Sequence, residues 1–139
     1  MSFQLYTPGR SMPDLSDLIA KDPAITDNLI GKMITIDPAT GLAIEATAAS
    51  TELGFCVSDN GEDIQVVADA EAIYKGNADA PFAAINRNTE VDLVINSGGQ
   101  EIDLGASTTD VFKVLSTKKA GTIGDTTDVL VRINKLIAV

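Results

Sequence analysis

The chain contains no histidine and no tryptophan, a single cysteine, and aromatic residues at only 4% of its 139 positions. Each shortage removes a class of function. Histidine is the side chain most often poised as a general base near neutrality, and it activates serine and cysteine nucleophiles; triad-type hydrolysis and Cys/His zinc sites are therefore excluded. Sugar-stacking clefts and base-stacking platforms need aromatic faces, which are scarce here. Cations are few as well, with 10 Lys and Arg against 20 Asp and Glu for a net charge of -10. Phosphate backbones and anionic bilayers are held through Lys and Arg, so neither nucleic acid nor membrane is an expected partner. The acidity reads first as solubility and repulsion between copies, and second as a means of docking on a basic surface.

Further absences narrow the setting. Cys56 has no second cysteine to pair with, and its place in Leu53-Gly54-Phe55-Cys56-Val57 reads as a buried, inert thiol. No apolar run reaches the roughly 18 residues of a membrane span. Met1-Ser2-Phe3-Gln4-Leu5 lacks a basic start followed by an apolar core, so a soluble protein made in the cytoplasm is expected. The phosphate-loop pattern is missing: Gly98-Gly99 reads as a hairpin turn, and nothing around Lys118-Lys119-Ala120-Gly121 resembles a phosphate cradle.

Carboxylates are the chemistry that is left. Asp59, Glu62 and Asp63 crowd one turn, but their spacing does not fit a calcium loop and they read as a solvated hairpin tip. Glu90, Asp92, Glu101 and Asp103 alternate with Val91, Leu93, Ile102 and Leu104, which places them on the wet face of a sheet. A carboxylate enzyme would need two acids facing across a cleft, one of them titrating high. No constellation of that kind stands out, so a non-enzyme without metal or cofactor is expected.

What the chain does have is strands. Lys32–Ile36, Leu42–Ala46, Leu53–Ser58, Asp63–Ala68, Ala72–Gly76, Val91–Ile95, Glu101–Leu104, Thr109–Leu115 and Asp128–Ile133 carry period-two patterns separated by turn residues. Asn60-Gly61 and Ser97-Gly98-Gly99 mark hairpins, because their residues accept left-handed backbone angles. Val129, Val131 and Ile133 share one face of the last strand, which is expected deep in a sheet. The apolar end Leu136-Ile137-Ala138-Val139 is expected to be covered, by this domain or by a neighbouring copy. One hundred and thirty-nine residues fit one domain and, at most, an arm. The fold class is therefore all-β, a sandwich or small barrel.

The arm is residues 1–29, ahead of a β domain at 30–139. Ser11-Met12-Pro13-Asp14 fits a helix start, Leu15, Leu18 and Ile19 form one apolar stripe, and Asp22-Pro23 ends the helix. Two turns of helix need a surface to lie on, either this domain's sheet or another subunit. Deleting residues 1–29 is expected to leave a folded domain.

The order of these segments resembles the capsid decoration (cement) proteins of tailed bacteriophages. The resemblance is carried by Gly31-Lys32-Met33-Ile34-Thr35-Ile36, by Thr40-Gly41-Leu42, by Ala46-Thr47-Ala48-Ala49 leading into Leu53-Gly54-Phe55, and by Asp59-Asn60-Gly61-Glu62-Asp63-Ile64-Gln65-Val66. It implies a β-barrel or β-tulip-like domain on the outer surface of an icosahedral head. It also implies a homotrimer that bridges subunits of the major capsid protein, and localisation to the virion. In that family an N-terminal arm runs onto the capsid, which makes Phe3, Leu5, Tyr6, Leu15, Leu18 and Ile19 the candidate contacts, with strand addition as one mode of docking. The arm here is longer and more helical than a simple strand-forming tail. Another virion binding module, such as a head fibre or tail component, is the alternative reading.

Overall fold

Alternating apolar residues bounded by turn chemistry become strands in the computed structural model, which describes residues 3–7 and 18–139. The strands are β1 (Gln4–Thr7), β2 (Leu18–Ala20), β3 (Met33–Ile36), β4 (Ala43–Glu45), β5 (Gly54–Asp59), β6 (Asp63–Val67), β7 (Ile73–Gly76), β8 (Glu90–Asn96), β9 (Gly99–Asp103), β10 (Phe112–Val114) and β11 (Val129–Ile133). Short 3-10 turns at Ala84–Asn86 and Lys118–Ala120 are the helical segments among the described residues.

The strands form two antiparallel sheets. One has the order β1-β7-β11-β10-β8-β9 and the other β2-β6-β5-β3-β4. The chain is all-β, as its patterning indicates, with two sheets facing one core, and isolated bridges join Lys21, just after β2, to Ala43 of β4 and Ala78, just after β7, to Ile102 of β9. Pairing is local where turn chemistry permits it. The β8–β9 hairpin turns through Ser97 and Gly98 at φ 51° and 78°, the left-handed angles a two-residue hairpin turn requires.

Alternation along each strand sorts side chains into two cores. Met33, Phe55 and Val67 of the second sheet meet Tyr74, Leu93, Phe112, Val129 and Val131 of the first in the main core. Phe55 and Tyr74 join the sheets directly, with ring centroids 5.0 Å apart. The opposite face of the second sheet carries Ile34, Cys56, Ile64 and Val66, covered by Leu29 and Ile137 into a smaller core. The second sheet is thus buried on both faces. The apolar C-terminus is accounted for within the domain: the Ile137 N–H donates to the Leu53 carbonyl at 3.0 Å, and the side chain is buried.

Strand β11 lies between β7 and β10, deep in its sheet as its pattern indicates. Leu130, on the face opposite Val129 and Val131, is nonetheless only 4% exposed. The turn at Lys118–Ala120 packs against β11 and accounts for that cover.

The N-terminal segment departs from expectation. Residues 18–20 are not the end of a helix but strand β2, with Leu18, Ile19 and Ala20 paired to Gln65, Ile64 and Asp63 of β6. An apolar stripe of two turns holds a helix weakly, whereas the edge of β6 offers backbone partners and lets Ile19 pack on the smaller core. Residues 11–17, including Leu15, lie outside the described residues. The division at 29/30 does not coincide with a break in the sheets, because β1 pairs with β7 and β2 with β6.

Candidate functional site

The N-terminal segment contributes one outermost strand to each sheet, β1 to the first and β2 to the second. Within it the candidate contact residues divide sharply. Phe3 is 2% exposed, its ring centroid lies 5.4 Å from that of Phe112, and its N–H donates to the Gly31 carbonyl at 2.7 Å. Gly76 of β7 leaves room for it: a Cβ there would come within 2.6 Å of Phe3 Cδ1. Phe3 is therefore a core residue. Leu5 is half-buried against the main core and Ile19 against the smaller one.

Tyr6 and Leu18 are the candidates whose side chains are at the surface, 52% and 54% exposed. Tyr6 sits on β1 and Leu18 on β2, so the structure places them on the edge strands of different sheets. Leu15 is outside the described residues. The apolar stripe read from the sequence is thus split between interior and surface by the alternation of strands.

Two carboxylates expected in solvent are buried and serve as clamps. Asp92 is 5% exposed. Its carboxylate accepts the backbone N–H groups of Thr108, Thr109 and Asp110 at 2.8–3.0 Å, and its own N–H donates to the Ala106 carbonyl at 3.1 Å. Burial pushes the carboxyl up, but the donors from Asp110, Thr108 and Thr109 outweigh it and hold the group below the usual carboxylate range. Alternation correctly places Asp92 on the outer face; the 106–110 loop folds over that face.

Asp59 is the second such group. Its side chain is 1% exposed and accepts a hydrogen bond from Lys21 Nζ at 2.8 Å, with Lys21 itself 3% exposed. The Leu29 N–H, at 2.8 Å, and the Gly61 N–H, at 2.8 Å, add to it. Burial raises this carboxyl as well, and the Lys21 ammonium with the two N–H donors reverses the sign. Glu62 stays exposed at the hairpin tip and Asp63 is half-buried, so of the three acids in that turn Asp59 is the one drawn inside.

Other groups carry little chemistry. Cys56 is buried and free, and desolvation pushes its thiol up to about 11. Its S–H lies 3.4 Å from the Ser58 carbonyl. That is the inert thiol expected from the sequence. Asp103 is held above the usual carboxylate range, first by burial and then by the neighbouring Asp79. Asp79 is itself exposed, and it accepts the Leu104 N–H at 3.1 Å as part of the loop's attachment to β9. An open groove of about 550 Å³ lies beside β8 and is lined by Ile85, Asn86, Thr89, Glu90 and Ser107 among others. It brings in one carboxylate and no base. Among the described residues no group of three acidic, histidine or cysteine side chains is placed to hold a metal ion. No helix among them is long and apolar enough to cross a membrane.

No family model, curated protein or solved structure matches the chain.

Proposed function

We propose that this chain is a non-enzymatic structural protein that decorates and stabilises the outer surface of an icosahedral phage head by bridging subunits of the major capsid protein. The observation that carries this reading is the placement of the N-terminal segment as the outermost described strand of both sheets, with Tyr6 and Leu18 presenting apolar surface there. Edge strands are the part of a sheet best suited to engage another chain, because their outer backbone groups need no particular partner sequence. A rigid two-sheet body behind them suits a load-bearing role. Many copies on a repeating lattice multiply modest individual affinities, so a small contact per copy suffices. Trimerisation on the capsid belongs to the same proposal.

The test is compositional. Virus particles from the source culture are banded on a density gradient, and this chain is quantified by mass spectrometry against the major capsid protein. Near-equal abundance is the expected result. Trace amounts would assign the chain to a fibre or tail, and absence would overturn the virion reading.

A further inference from the structure

The first sheet carries a small cationic groove on an otherwise acidic molecule. Tyr6, Lys75, Lys118, Lys119, Gly121, Thr122, Asp128 and Leu130 enclose about 270 Å³. Three of the chain's ten Lys and Arg side chains therefore converge on one site of a protein with net charge -10. Register explains Lys75: it pairs with Gln4 of β1 on one side and Leu130 of β11 on the other, and so shares their outward face. Tyr6, the extra residue of the bulge between Leu5 and Thr7, lines the same groove. Packing explains the other two lysines. Ala120 is fully buried, and a Cβ on Gly121 would come within 2.8 Å of the Phe82 ring, so the turn is seated tightly against the body. Lys118 and Lys119 are left exposed.

Lys21 and Lys32 are neutralised by Asp59 and Glu45, whereas Lys75, Lys118 and Lys119 form no ion pair with a described residue. Like charges brought together at a groove attract an anion from outside. The one carboxylate in the lining, Asp128, forms no ion pair with them either.

We propose that this groove binds an acidic peptide segment of a partner protein, its carboxylates meeting Lys75, Lys118 and Lys119 and its backbone or an apolar side chain resting on Tyr6. A polyphosphate strand is the poorer ligand. It would extend past the groove into the field of a strongly acidic surface, and no arginine is among the described lining residues to give a bidentate fork for phosphate. A short run of Asp or Glu feels mainly the three lysines within its reach, given screening over about 8–10 Å at ordinary salt. The assignment stands on the groove alone: retained peptide binding with no chain on virus particles would sink the decoration reading and leave this one intact.

The experiment uses the full chain and a fluorescein-labelled octapeptide of mixed Asp and Glu, read by fluorescence anisotropy at low salt. A Gln/Asn peptide of equal length, a short oligonucleotide and inorganic phosphate serve as competitors. The acidic peptide should bind and weaken as salt rises. Lys118→Glu/Lys119→Glu, at two exposed positions, should reduce affinity by about tenfold or more. Asp128→Asn, which keeps a residue tolerant of φ 62°, should tighten binding. Undiminished binding by the double lysine variant, equal binding of the Gln/Asn peptide, absence of acidic-peptide binding, or stronger competition by oligonucleotide or phosphate would each overturn the proposal.

Discussion

The Gln100 side chain, 2% exposed on β9, pairs with both backbone groups of Met33 on β3, as a neighbouring strand would. Gln100 Oε1 accepts the Met33 N–H at 2.8 Å, and Nε2 donates to the Met33 carbonyl at 2.8 Å and to that of Ala46 at 3.0 Å. The two residues belong to different sheets, so one amide ties the sandwich together across its core. Gln100→Ala would leave a buried N–H without a partner and two carbonyls under-satisfied, at a cost of about 2–4 kcal/mol. Urea unfolding should report that loss. A change within a few tenths would mean that this amide adds little to what holds the two sheets together.

Phe3 and Gly76 are similarly matched, one ring to one missing side chain. Gly76→Ala should be strongly destabilising in the natural chain, because the new methyl meets the Phe3 ring. Phe3→Ala should itself cost about 3–5 kcal/mol, as for other buried aromatics. In the double variant the clash disappears, so the cost of Gly76→Ala should shrink by more than about 1 kcal/mol. Additive costs would show that Phe3 moves aside freely. The same contact, together with buried Leu29, means that deleting residues 1–29 strips both cores and should yield an unfolded or aggregating chain.

Point variants therefore probe the edge strands better than truncation. Tyr6→Ser and Leu18→Ser alter exposed side chains and should shift stability by less than about 0.5 kcal/mol. Under the decoration reading, the pair should abolish sedimentation with particles while the urea midpoint stays put. Full retention on particles would remove these two side chains from the contact.

These particulars also show how far the sequence is legible. Strands and hairpins are, because Asn60-Gly61 and Ser97-Gly98 state their turns locally and alternation states which side each residue faces. What alternation does not state is whether something lies over that side. Asp92 faces outward as read, yet the 106–110 loop closes on it. Gln100 follows a hairpin turn and resembles a surface amide, yet its partner is 67 residues away. Leu18 and Ile19 carry a helical spacing that long-range pairing with β6 overrides. The division of the candidate contacts into buried Phe3 and exposed Tyr6 follows from β1 being a strand, which its short Gln4–Thr7 span does not announce.

Stability should pass through a maximum in mildly acid solution. Asp59 and Asp92 are held below their ordinary values, so their contribution is complete above an unfolded value of about 3.9 and is lost as pH falls through the folded ones. Asp103 is raised, so the folded state takes up its proton first, and stability grows as pH falls through that raised value toward 3.9. Asp103→Asn should be more stable than the natural chain at pH 7 and should lose the rise on acidification, while the acid-side fall remains. Parallel curves for the two proteins between pH 7 and pH 4 would contradict the assignment.

The Lys21–Asp59 pair gives the sharpest electrostatic test, because the cation and the N–H donors can be separated. Lys21 Nζ also donates to the Asp27 carbonyl at 2.7 Å, so one ammonium holds the 21–29 segment to the end of β5. Lys21→Met keeps the length of the stem but leaves Asp59 buried with only the N–H groups of Leu29 and Gly61. Breaking a buried pair from one side costs about 3–5 kcal/mol, since the remaining charge is uncompensated. The sign of the pH dependence follows. Without its cation Asp59 is no longer held as low, so its proton returns at a higher pH and the buried charge is relieved sooner. The gap between the natural chain and Lys21→Met should therefore be widest at pH 7 and narrow steadily toward pH 3. Urea midpoints at those two pH values decide the matter. A constant gap would mean that Lys21 acts through its bond to Asp27 and the packing of its stem rather than through its charge.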